Sequence, residues 1–172
     1  MIFVEQVIER IFDIVKAPVD KPEMLWIIIP VALSTFLMTY YFGKYKDEEL
    51  GWNTAFGNSI IMLFACLDLL RYLYNSQTLA LNVQTILVIA VLLEGAILTL
   101  LNFLHALPKT FAFGISSGMT INIIILSLII LVYSQLPLDQ ITAVAVVAIS
   151  ITAIIILKII QLLQWGADED EE

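Results

Sequence analysis

Five apolar runs, at residues 24–43, 55–74, 80–104, 111–134 and 141–165, occupy most of this 172-residue chain. Each is long enough for a helix to cross the ~30 Å hydrocarbon core of a bilayer, which takes about 20 residues. The second is the weakest, because Asp68 and Arg71 interrupt it. Lipid offers no water to an unpaired backbone group, and each run is too long for one barrel strand, so the runs have to be helices. A chain that is 60% hydrophobic with 8 Lys and Arg residues could not hide such surfaces in a soluble core. The expected fold is an all-α integral membrane bundle of five transmembrane helices, in a multi-pass protein of the cell membrane.

The stretches between the runs, 44–53, 75–78, 105–109 and 135–140, are short. They leave no room for an extramembrane domain and predict that consecutive helices are antiparallel neighbours. Three regions follow: an N-terminal segment with its linker (1–22), the transmembrane domain (23–165) and an acidic tail (166–172). Within 3–16, Phe3, Val4, Val7, Ile8, Ile11, Phe12, Ile14 and Val15 fill one half of a helical wheel. Glu5, Gln6, Glu9, Arg10, Asp13 and Lys16 fill the other. This segment is too short and too charged to span, so it reads as an amphipathic helix lying in the interface or packed on a partner subunit. Its three acids against two bases oppose recruitment by anionic lipid.

The sharpest pointer to a site is Glu94, near the middle of the third run. An ionised carboxylate at the bilayer centre costs at least ~2.5–3.5 kcal/mol, so such a group normally faces a partner, a water cavity or a transport path. Counting residues outward from turns centred near Ser76 and Pro108 places Asn58, Ser59, Thr120 and Asn122 at the depth of Glu94. The same count adds Ser34 or Thr35 on the first helix and Ser150 or Thr152 on the fifth. One reading of this layer is a hydrated path for protons or monovalent cations with Glu94 as the titrating or coordinating group. The other is a carboxylic acid that hydrogen-bonds Asn58 or Asn122 and holds the bundle together.

A second polar pair, Asp68 and Arg71, stands three residues apart on one helical face and is spaced for a direct ion pair. Arg71, one turn from the helix end, can snorkel to the interface, with Asn82 and Gln84 as expected company. Close helix packing is signalled by the GxxxG of Gly114 and Gly118, and by a small-residue stripe of Thr142, Ala145, Ala148 and Thr152. Pro30 frees the carbonyl of Trp26 in the first span.

Residues 114–118 also match the G-x-S-x-G of serine hydrolases, with Ser116 or Ser117 and the sole histidine, His105. That motif needs a strained strand-to-helix turn, whereas here it opens a membrane helix, so no enzyme activity is expected. Cys66 is the single cysteine, no cluster has metal-ligand spacing, and no cofactor motif is present. A net charge of −8 without a basic stripe excludes nucleic acid as a partner. The expected partners are the lipid bilayer and a second copy, as a homo-oligomer, or other membrane subunits. The expected function is that of an oligomeric channel or transporter, or alternatively of a non-catalytic subunit or scaffold. Sidedness is undetermined, because Lys and Arg divide four against four between the two sides.

Overall fold

The computed structural model describes residues 2–45 and 50–163; the acidic tail, Lys46 and Trp165 lie outside the described residues. The described residues are helical throughout their ordered elements. In chain order these are α1 (Ile2–Asp20), a short 3-10 turn (Pro22–Met24), α2 (Leu25–Lys44), α3 (Trp52–Asn75), α4 (Val83–Phe103), α5 (Lys109–Ile115), α6 (Gly118–Ser134) and α7 (Gln140–Leu163). Among the described residues five helical stretches are long and apolar enough to cross a membrane, and the fourth of them, Lys109–Ser134, is α5 and α6 taken together.

A helix apolar on every face belongs in the middle of a bundle. α6, with its run Ile123-Ile124-Ile125-Leu126, takes that place, and Ile121, Ile125, Ile129 and Val132 are buried there. Met24, Met62, Cys66 and Leu69 complete the core around it. α3 packs on α4 and α6, while α2 packs on α6 and α7. The expectation that all consecutive helices are neighbours therefore holds for α3 and α4 but not for α2 and α3. Seven residues separate the end of α2 at Lys44 from the start of α3 at Trp52, enough to join helices that are not neighbours.

The amphipathic segment forms α1, which has three faces instead of two. Ile14 and Ala17 are buried against the bundle, where α1 crosses α6 and α7. Val4, Ile8, Phe12, Val15 and Val19 form an exposed apolar stripe, and Glu5, Glu9, Asp13 and Lys16 an exposed polar one. Arg10 leaves the polar half expected of it and turns toward the α6–α7 connection. It donates to the carbonyl of Pro137 at 3.1 Å and to the Thr142 hydroxyl, and lies 3.8 Å from Asp139. Thr142 and Ala145, two members of the small-residue stripe, are buried, Ala148 is half-buried and Thr152 is exposed.

Asp139 caps α7 by accepting the backbone N–H of Thr142 at 2.8 Å. That bond, helped by the Thr142 hydroxyl and Arg10, holds its carboxyl below the ordinary carboxylate range. A depressed folded-state pKa means that the contribution is present above the unfolded value, near pH 4, and is lost as pH falls through the folded value. Protection of the amides along α1 and the first turn of α7, taken relative to the intrinsic exchange rate at each pH, is therefore expected to fall below about pH 4. Arg10→Ala should give the same loss of protection in α1 at neutral pH, seen there as faster exchange in α1. Unchanged protection in α1 on both counts would remove Arg10 and Asp139 as its tether.

Candidate functional site: a broken helix and an outward-facing carboxylate

The fourth span is not one helix. Ser116 N–H closes α5 on the carbonyl of Ala112, and Ser117 adopts extended backbone angles and caps α6. Its hydroxyl accepts the N–H of Thr120 at 3.2 Å, the standard service of an N-cap serine. Thr120 then reaches back across the break, its hydroxyl donating to the carbonyl of Gly114 at 2.9 Å. With the helix interrupted, Gly114 and Gly118 do not share a packing face. A methyl group added at Gly114 would meet no atom within 4 Å, and at Gly118 its nearest neighbour would be Asn58 Nδ2 at 3.8 Å. The expected GxxxG contact is thus replaced by a capping site, because the motif works only on a continuous helix.

Asparagines from two other helices tie the break down. Asn58 of α3 donates to the carbonyl of Ser116 at 2.8 Å. Asn102 of α4, 1% exposed, donates through Nδ2 to the hydroxyls of Ser59 and Ser116, each at 2.8 Å, and to the carbonyl of Ala55 at 3.2 Å. Ser59 is fully buried and donates to the same Ala55 carbonyl at 2.9 Å. Asn58, Ser59 and Thr120 therefore do gather. They gather with Asn102, Ser116 and Ser117, around the ends of α5 and α6.

Glu94 is not among them. It is exposed on α4, one turn past Val91 and two past Leu87 on the same side of the helix, and makes no hydrogen bond or ion pair among the described residues. Asn102, the α4 residue that does meet Ser59, lies eight positions further on, roughly 12 Å along a helix rising 1.5 Å per residue. The depth count failed because the turn after α3 is longer than a tight reversal. Asn82 caps α4 by accepting the N–H of Thr85 at 2.9 Å and donates to the carbonyl of Thr78 at 3.1 Å, so the helix starts at Val83. Asn122 is buried on α6 but joins no hydrogen bond among the described residues.

The ion pair at the far end forms as expected. Arg71 Nε donates to Asp68 Oδ1 at 2.9 Å, with Nη2 on the same oxygen. Arg71 is exposed, which limits the pair to about 1 kcal/mol or less. Asn82 is not its company, since it is engaged at the α4 cap. The aromatic neighbours are Tyr72 and Tyr133, stacked with ring centres 3.8 Å apart. At the opposite end His105 stacks on Trp52 at 4.4 Å, while Ser116 and Ser117 are engaged at the helix break.

Comparison with protein-family models, with curated proteins and with solved structures gives no match. Its five long apolar helices mark the chain as a multi-pass integral membrane protein.

Proposed function

We propose that this chain is a subunit of a larger membrane assembly, most simply a homo-oligomer, in which a second protein surface covers α4 over Glu94. The observation that carries this reading is the exposure of a mid-span carboxyl group that makes no hydrogen bond or ion pair among the described residues. A group of that kind is costly against lipid and is normally matched by a polar partner. Copies that share a membrane share an orientation, so groups at equal depth are the ones that can meet. Ser34 on α2 and Thr152 on α7 are both exposed and both near mid-span, as Glu94 is on α4. A head-to-tail contact between the α4 flank of one copy and the α2–α7 flank of the next would pair them, and such a contact forms a ring where the rotation between copies closes.

A second reading, passage of protons or monovalent cations along that boundary, is favoured by the chemistry of the group. A carboxyl can exchange a proton or coordinate a cation, which the amide and hydroxyl groups at the helix break do less well. One pair of measurements tests both readings. For Glu94→Gln the dissociation of the assembly in detergent is expected to rise about three- to twentyfold, the range for one interhelical hydrogen bond in a membrane. An unchanged assembly, or a wild type that stays monomeric, would overturn the subunit reading. Proton and potassium flux through liposomes then separates the two roles: flux that falls in Glu94→Gln makes the boundary a pathway, and none above empty liposomes leaves a scaffold.

A further inference from the structure

α7 is held to the bundle mainly by α1 and α2, and meets α6 at mid-length, where the hydroxyls of Ser127 and Ser150 lie 3.5 Å apart. An apolar groove of about 520 Å³ opens between α6, α7 and the first half of α4. Along α6 it runs from Met119 to Leu131, roughly 18 Å at 1.5 Å per residue, which is about the depth of one leaflet of a ~30 Å hydrocarbon core. At its Met119 and Thr120 end the groove meets a second cleft of about 410 Å³, shared with α2 and lined by Thr39, Ser117, Lys158 and Gln161. One face of α7 serves both. Val146, Ser150 and Ile154 line the groove, and one turn further on Lys158 and Gln161 line the cleft. Among the described residues Lys158 is the single charged group on the cleft, and its ammonium is exposed, donating to Gln161 at 2.8 Å. This cleft lies at the end of the bundle where α2 finishes at Lys44 and α5 begins at Lys109, the level of a headgroup.

We infer that groove and cleft together bind one anionic phospholipid of the surrounding bilayer, its phosphate against Lys158 and one acyl chain along α6. Two features select this occupant. The apolar part has the length of a chain, and among the described lining residues the one charge is a cation placed where the chain would end in a phosphate. A transmembrane helix of a partner would instead require an apolar surface at the Lys158 end as well. A basic residue near the membrane surface favours an anionic headgroup by about 1 kcal/mol, or roughly fivefold in affinity.

The test uses the delipidated full chain in neutral detergent, with dioleoyl phosphatidylglycerol, dioleoyl phosphatidylcholine and glycerol 3-phosphate as probes. Binding is read by native mass spectrometry and by the shift in Tm. Phosphatidylglycerol is expected to bind about fivefold better than phosphatidylcholine and to raise Tm, while glycerol 3-phosphate, which lacks a chain, does neither. Lys158→Ala, an exposed change that leaves the core untouched, should erase the preference between the two lipids. Ser150→Phe, which fills the groove, should weaken both, and monodispersity confirms that the variant is folded. Equal binding of the two lipids by the wild type would overturn the inference, as would a preference that survives Lys158→Ala. Displacement of phosphatidylglycerol by glycerol 3-phosphate would also overturn it, by making the cleft a site for free phosphate.

Discussion

Asn102→Leu is expected to lower stability by about 2 kcal/mol, among the largest single losses available to this chain. Interhelical hydrogen bonds in membranes average only about 0.6 kcal/mol each, because the unfolded reference state also finds partners. Asn102, however, serves three acceptors on two other segments at once. Its removal leaves the buried Ser116 hydroxyl without a partner among the described residues, while Ser59 keeps its bond to the Ala55 carbonyl, and a buried group stripped of its partner costs more than the average bond returns. The loss should also be local. Ser116 ends α5, so the break between α5 and α6 loses one of the two asparagines that hold it, and amide exchange should quicken at residues 114–120 before anywhere else. Reversible unfolding in mixed micelles gives the first number and exchange mass spectrometry the second. A stability within a few tenths of a kcal/mol of wild type would mean that the network around Asn102 contributes nothing net.

Gly95→Leu is the other large effect, expected to cost about 2–3 kcal/mol. Gly95 faces α3 with little room to spare: a methyl group there would stand 3.2 Å from Leu63 Cδ2 and 3.4 Å from Met62 Cγ. Two effects compete at this position. Removing a glycine from a helix interior gains roughly 0.5–1 kcal/mol, and a single methyl can be accommodated if the end of the Leu63 side chain gives by a few tenths of an ångström. Gly95→Ala is therefore expected to fall near neutral. Leucine adds three more carbons against Met62, which is fully buried and has nowhere to move, so the helices must separate. If Gly95→Leu unfolded no more readily than Gly95→Ala, close approach would not be what holds α3 to α4.

The architecture was legible in the sequence because one constraint, the span of a bilayer, acts on run length alone. The runs at 24–43 and 141–165 correspond to α2 and α7 within a residue or two at each described end. Side-chain direction was not legible, for a physical reason: a helix that is apolar on all sides carries no periodicity to show which side faces inward. α4 is such a helix, and Glu94 therefore reads the same whether it lines a bundle or faces away from one. The break in the fourth span was written in Ser116-Ser117-Gly118, since serine before an apolar run signals a helix start. The overlapping GxxxG spacing pointed instead to a continuous helix. Asn102 was visible within the third run, but an asparagine near a helix end is ordinary, and its meaning depends on the register with Ser59. That register turned on whether residues 76–82 lie inside the helices or between them.

The fully buried Cys66 gives the molecule a practical property. A thiol reacts through its exposed thiolate, and the only cysteine in this chain is sealed between helices. The natural protein is thus a silent background for maleimide chemistry. A cysteine placed at Asn75 marks one end of the bundle and one at Ala106 the other, both positions being exposed. Labelling by an impermeant reagent in sealed vesicles assigns the two ends to the two sides of the membrane, with the native residue left in place.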